Sequence, residues 1–67
     1  MQIRYQTNSQ VDFDQMSEII NASDFYAEEN ETMKFFSFDC EDQADGDALE
    51  LVLENLICEI DGYWESI

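Results

Sequence analysis

Almost every side chain here that can do chemistry is a carboxylate: 17 Asp and Glu stand against one Arg and one Lys, with no His. Carboxylates bind hard cations, move protons when paired, or oppose a basic surface. Each use demands its own spacing. For cation binding the best candidate is the segment from Glu41 to Val52, read as an EF-hand loop. Setting Gly46 at the required glycine puts Glu41, Gln43, Asp45 and Asp47 at the first, third, fifth and seventh positions. The twelfth position needs a bidentate Glu and holds Val52, so the match fails where it matters most. Asp12-x-Asp14 and Asp45-x-Asp47 fall at expected helix starts, where carboxylates suit the positive end of the dipole. No metal and no cofactor is expected.

Proton transfer by paired carboxylates needs a pocket that separates their pKa values. A chain of 67 residues has little material for both a core and such a pocket. There is no nucleophile elbow and no glycine-rich phosphate loop, and Gly46 and Gly62 are accounted for as a loop residue and a left-handed helix cap. The expectation is a protein that is not an enzyme. Cys40 and Cys58 are too few for a disulfide framework, and without a secretion signal they are expected as free thiols.

The third use fits the spacing better. At 100° per residue, Asp47, Glu50, Glu54 and Asp61 share one face of the last predicted helix, opposite Leu49, Val52, Leu56 and Ile60. Neighbouring carboxylates on such a face lie about 5–6 Å apart. That is comparable with phosphates along a nucleic-acid strand, which rise about 3.4 Å each along the axis. Nothing from residue 35 onward is Lys or Arg, so none has a basic partner one turn away. Leu51 and Cys58 interrupt this face and read as a small apolar contact inside an acidic interface, or as scattered surface apolars. Further acids gather at Glu28, Glu29 and Glu31 in a predicted turn. Asp39, Glu41, Asp42 and Asp45 lie in a predicted acidic loop over residues 39–47, and Asp12, Asp14 and Glu18 lie along the first helix.

The elements that must position these groups follow from periodicity. Ile3 and Tyr5 alternate with polar residues, which predicts a strand over 2–7. Ser9 is a good N-cap for an amphipathic helix over 10–22, with Val11, Phe13, Met16, Ile19 and Ile20 on one side. Phe25-Tyr26-Ala27 reads as a short strand or as a continuation of the helix, and Asn30 suits a positive φ in the turn that follows. Residues 32–39 predict the best strand, with Phe36 and Phe38 on one face and Met33 and Phe35 on the other, as a central strand, or a strand with a partner on its far side, would have. Arg4 and Lys34 both fall on predicted strands. A helix over 45–61 carries the stripe Ala48, Leu49, Val52, Leu53, Leu56, Ile57 and Ile60, after which Tyr63 and Trp64 pack back. The reading is one α+β domain over 1–67, with two helices on a small, mostly antiparallel sheet of two or three strands in the order β-α-(β)-β-α. A core this small must take in nearly every apolar residue, or a second copy must help, so a homodimer stays open.

Taken whole, the chain carries a net charge of −15 yet is 45% hydrophobic and 13% aromatic. Disordered acidic tails lack that apolar content. The charge disfavours direct binding to nucleic acid or to an anionic membrane. No apolar run is long enough for a membrane span and no signal peptide is evident, so the cytoplasm is the expected compartment. In size, charge and acidic helix face the chain resembles the small acidic DNA-mimic inhibitors that phages direct against host defence, of the anti-restriction and anti-CRISPR type. The resemblance implies a basic nucleic-acid-binding protein as partner, a CRISPR effector, restriction enzyme or nuclease. Rival readings are an immunity protein or antitoxin against a basic nuclease or toxin, an acidic accessory subunit, and a salt-adapted housekeeping domain.

Overall fold

The alternation of Ile3, Tyr5 and Thr7 with Gln2, Arg4 and Gln6 builds β1 (Gln2–Thr7), with the first set buried. A computed structural model describes residues 1–66. Ser9 then caps α1 (Gln10–Asn21), its hydroxyl oxygen accepting from the Asp12 backbone N–H. Phe13, Met16 and Ile20 face the core, one turn apart. The helix ends where Ala22 N–H donates to Glu18 and the Ser23 hydroxyl donates to Ile20.

The next segment differs from the sequence expectation. Residues 25–27 form neither strand nor helix, and the strand β2 (Glu28–Asn30) falls where a polar turn was expected. Nothing in Glu-Glu-Asn favours a strand; pairing imposes it, with Glu28 opposite Ser37 and Asn30 opposite Phe35. The turn occupies residues 31–34, and its positive φ of 61° falls at Lys34, not at Asn30. Asn30 serves instead through its side chain, which accepts from Met33 N–H. Lys34 is therefore in a turn, not on a strand. Its carbonyl accepts from both the backbone N–H and the hydroxyl of Thr7, at 2.9 and 2.7 Å, which satisfies the one buried polar residue among those described and ties the hairpin to the end of β1.

β3 (Phe35–Asp39) follows, with Phe36 and Phe38 buried. It is a central strand, as its two apolar faces suggested. The acidic loop is shorter than expected, because Asp39 ends β3 and Asp42 already caps α2 (Gln43–Glu54). This helix starts two residues before the expected boundary and stops seven residues short of it. A helix running to the expected end would carry Glu59 and Asp61 at its negative C-terminal end, with no basic residue there to offset them. The chain instead turns through residues 55–61 into a strand that sequence reading missed, β4 (Gly62–Ser66). Gly62 is accordingly no helix cap and its φ is not positive. A Cβ there would lie 2.6 Å from the Gln6 carbonyl oxygen and 2.7 Å from the Tyr5 ring, so close approach to β1 is what requires glycine.

The sheet is antiparallel throughout, in the order β2-β3-β1-β4, with the element order β-α-β-β-α-β. The fold is thus α+β, as expected, but with four strands. Its connectivity is the ferredoxin-like one, two split β-α-β units. Ile3, Tyr5, Phe36 and Phe38 share a core with Phe13, Met16 and Ile20 of α1 and Leu53 of α2, so both helices cover the same face. Phe13 stacks on Phe36 at 4.6 Å, and Trp64 lies 4.9 Å from Tyr5. Among the described residues, no helix is long and apolar enough to cross a membrane.

Candidate functional site

The acidic face of α2 is real but shorter than expected. Asp47, Glu50 and Glu54 lie on the helix, while Asp61 lies beyond it, in the segment leading to β4. Asp47 and Glu54 are exposed; Glu50 is half-buried. Burial first, then Asp47 and Glu54, push the Glu50 carboxyl above the usual range. Asp47 also accepts from the Gln43 side-chain amide at 2.8 Å. Asp61 rejoins the group by another route. Burial, then Asp12, Asp61 and Glu54, raise the Tyr5 phenol, whose hydroxyl donates to the Ile60 carbonyl. Carboxylates of α1, of α2 and of the segment before β4 thus act on the same phenol through their charge.

A second group gathers at the start of α2. Burial of the Cys40 thiol, with Asp45, Asp39 and Glu50 nearby, raises its pKa against the opposing pull of the N-terminus. Three acids in this region have local structural work. Asp42 accepts from Asp45 N–H at 2.9 Å, and Asp45 accepts from Glu41 N–H at 3.1 Å. Asp39 accepts from Gln2. Asp39, Glu41, Asp42 and Asp45 are all exposed. The remaining expected acids lie around the edge strand. Glu29 points to the helix side and accepts from Ser17, Glu28 shares the open sheet face with Ser37, and Glu31 is in the turn.

Leu51 is 67% exposed on α2, whereas Cys58 is exposed in the turn beyond the helix and does not share its face. Cys40 and Cys58 are both free thiols, the first buried. The cations stay away from the acidic helix: Arg4 lies on β1 with its guanidinium 3.9 Å over the Phe35 ring, and its Nε is buried without a partner.

Sequence reading missed one feature. Between the α1–β2 segment and α2 runs a groove of about 480 Å³ floored by Phe25, Phe38 and Leu49 and walled by Tyr26, Ala48 and Val52. Asp24, Asp39 and Asp45 also border it. The signal was present in the broad stripe on α2. The seven apolar residues of the predicted stripe exceed what one helix buries on a small sheet; three of them, Leu56, Ile57 and Ile60, fall beyond the end of α2, and only Leu53 and Ile57 are buried. Among the described residues, no three potential metal ligands come together. No protein family, characterised protein or solved structure matches the chain. The surface offers dense carboxylates able to pair with Lys and Arg, next to an apolar cleft.

Proposed function

We propose that this protein is a non-enzymatic inhibitor that imitates nucleic-acid charge and occupies the basic groove of a nucleic-acid-binding protein in the cytoplasm. The observation that carries the reading is charge density. The molecule holds a net charge of −15 along a longest extent of 30 Å. Duplex DNA carries one charge per about 1.7 Å of axis, hence about 18 over the same length. No Asp or Glu is buried; Asp12 and Glu50 are half-buried and all others are exposed. Asp47, Glu50, Glu54 and Asp61 would meet Lys and Arg of the partner, with Asp39, Glu41, Asp42 and Asp45 extending the contact and Glu28, Glu29 and Glu31 at the sheet edge. Encounter would be fast and electrostatically steered. A CRISPR effector, restriction enzyme or other nuclease has the required basic groove.

The test uses immobilised protein to capture basic proteins from lysate, followed by competition of each captured protein between labelled DNA and the free inhibitor. Displacement of DNA is expected. It should be lost on Asp47→Lys combined with Glu54→Lys, two exposed positions whose reversal leaves the fold intact. Glu50, half-buried, is a poorer probe. Captured partners that bind DNA and inhibitor together would overturn the reading.

A further inference from the structure

The apolar groove between the α1–β2 segment and α2 has no role in a purely electrostatic mimic. Its walls continue onto the outside of the helix. Ala48, Leu51 and Val52 stand at i, i+3 and i+4, and all three are exposed. Tyr26 across the groove is 79% exposed. A small domain that leaves this much apolar surface uncovered on one side presents the composition of an interface centre, apolar within a polar rim. The rim has one sign: Asp24, Asp39 and Asp45 border the groove, and Asp47 and Glu54 lie on the same helix. A second copy would bring the same carboxylates against these, so the charge argues against a dimer here.

We infer that this groove takes an apolar side chain from a basic segment of the partner, a Leu- or Phe-type anchor flanked by Lys or Arg. The anchor would fill the space over Phe38 and Leu49 between Tyr26 and Val52, and its cationic neighbours would reach Asp24, Asp39 and Asp45. The inference rests on the proposed binding to a basic protein and adds the feature by which this protein would select among basic surfaces. Charge brings any such surface close, whereas the anchor favours one that carries an apolar residue at the right place.

Synthetic peptides test it directly: a short Lys/Ser peptide with one central Leu or Phe, the same peptide with central Ala, and a neutral version that keeps the anchor. Amide chemical shifts of the labelled protein locate binding, and titration gives Kd at about 0.15 M salt, where the Debye length is about 8 Å. The anchored cationic peptide should bind at least about tenfold more tightly than its Ala counterpart, the effect of burying one aliphatic side chain. Its shifts should centre on Phe25, Tyr26, Ala48 and Val52. Val52→Ser, which removes apolar wall without changing the charge, should abolish that advantage while leaving the Ala peptide's affinity, and the circular dichroism spectrum, unchanged. Equal affinity for the Leu and Ala peptides, shifts confined to Asp47 and Glu54, tighter binding of the neutral peptide, or self-association through the groove would each overturn the inference. Failure here with DNA displacement intact would leave the charge-mimic reading standing. Anchored binding without DNA displacement would do the reverse.

Discussion

At the scale of single residues, Gly62 and Glu50 carry opposite lessons. Gly62 is where β4 touches β1, and a methyl group there would meet the Gln6 carbonyl oxygen at 2.6 Å. Backbone cannot swing aside as a side chain can, so Gly62→Ala should cost about 1–3 kcal/mol, the usual penalty for overpacking. Urea denaturation monitored by Trp64 fluorescence measures it. Glu50 should behave the other way. Its carboxyl is raised by burial and by Asp47 and Glu54, so the folded state holds a proton that the unfolded state has already released. Above the folded pKa this penalty is fully present. It is relieved as pH falls through the folded and then the unfolded value, so stability rises from pH 7 toward the ordinary carboxylate range. Glu50→Gln should raise the urea midpoint at pH 7 and make it less sensitive to that pH change. An unchanged midpoint and slope would refute the account of the cluster. A sequence shows that Asp47, Glu50 and Glu54 share a face, but not that Glu50 is partly buried there.

At the scale of elements, α2 is a helix whose charges oppose its dipole. Glu54 is its last residue, and no basic residue occupies the final turn. Glu54→Lys should therefore add about 0.3–1 kcal/mol to stability, seen as a higher melting temperature. The same change should weaken partner binding if the acidic face is the contact. Gain of stability with loss of binding would separate a functional surface from a structural one. Where local chemistry decides an element, it was legible: Ser9 and the Phe13–Met16–Ile20 spacing define α1, and alternation defines β1. Where distant pairing decides, it was not. Glu28–Asn30 has no strand propensity and forms on β3, while Gly62–Ser66 carries little alternation and forms on β1. The apolar periodicity of α2 runs on to Ile60, but the helix stops at Glu54, since the chain must reach the edge of β1 and the following carboxylates disfavour a longer helix. Asp61 and Cys58 left the predicted acidic face for that reason. The groove was hidden for a related one: its walls come from residues 24–26 and from α2, brought together by the fold alone.

At the scale of the whole molecule, self-repulsion and partner attraction share one origin and should respond oppositely to salt. Charges spread over 30 × 22 × 18 Å are increasingly screened from one another as salt is added, since the Debye length falls from about 10 Å at 0.1 M to about 3 Å at 1 M. Melting temperature should rise with added salt while partner affinity falls. Melting scans and binding titrations over the same salt series check both. A melting temperature that drops with salt would remove self-repulsion as a significant term. Affinity indifferent to salt would remove charge as the basis of recognition.

The central place of β1 also bears on how the chain is made. Residues 2–7 leave the ribosome before residues 62–66, so one flank of β1 waits for them, with Thr7 opposite Gly62 and Ile3 opposite Ser66. At about 5–20 residues per second, that interval lasts several seconds. During it the edge of β1 that will receive β4 is open, and Tyr5 lacks its Trp64 neighbour. Neighbouring copies of this chain carry the same edge, and the dense negative charge they share would hold them apart until β4 arrives.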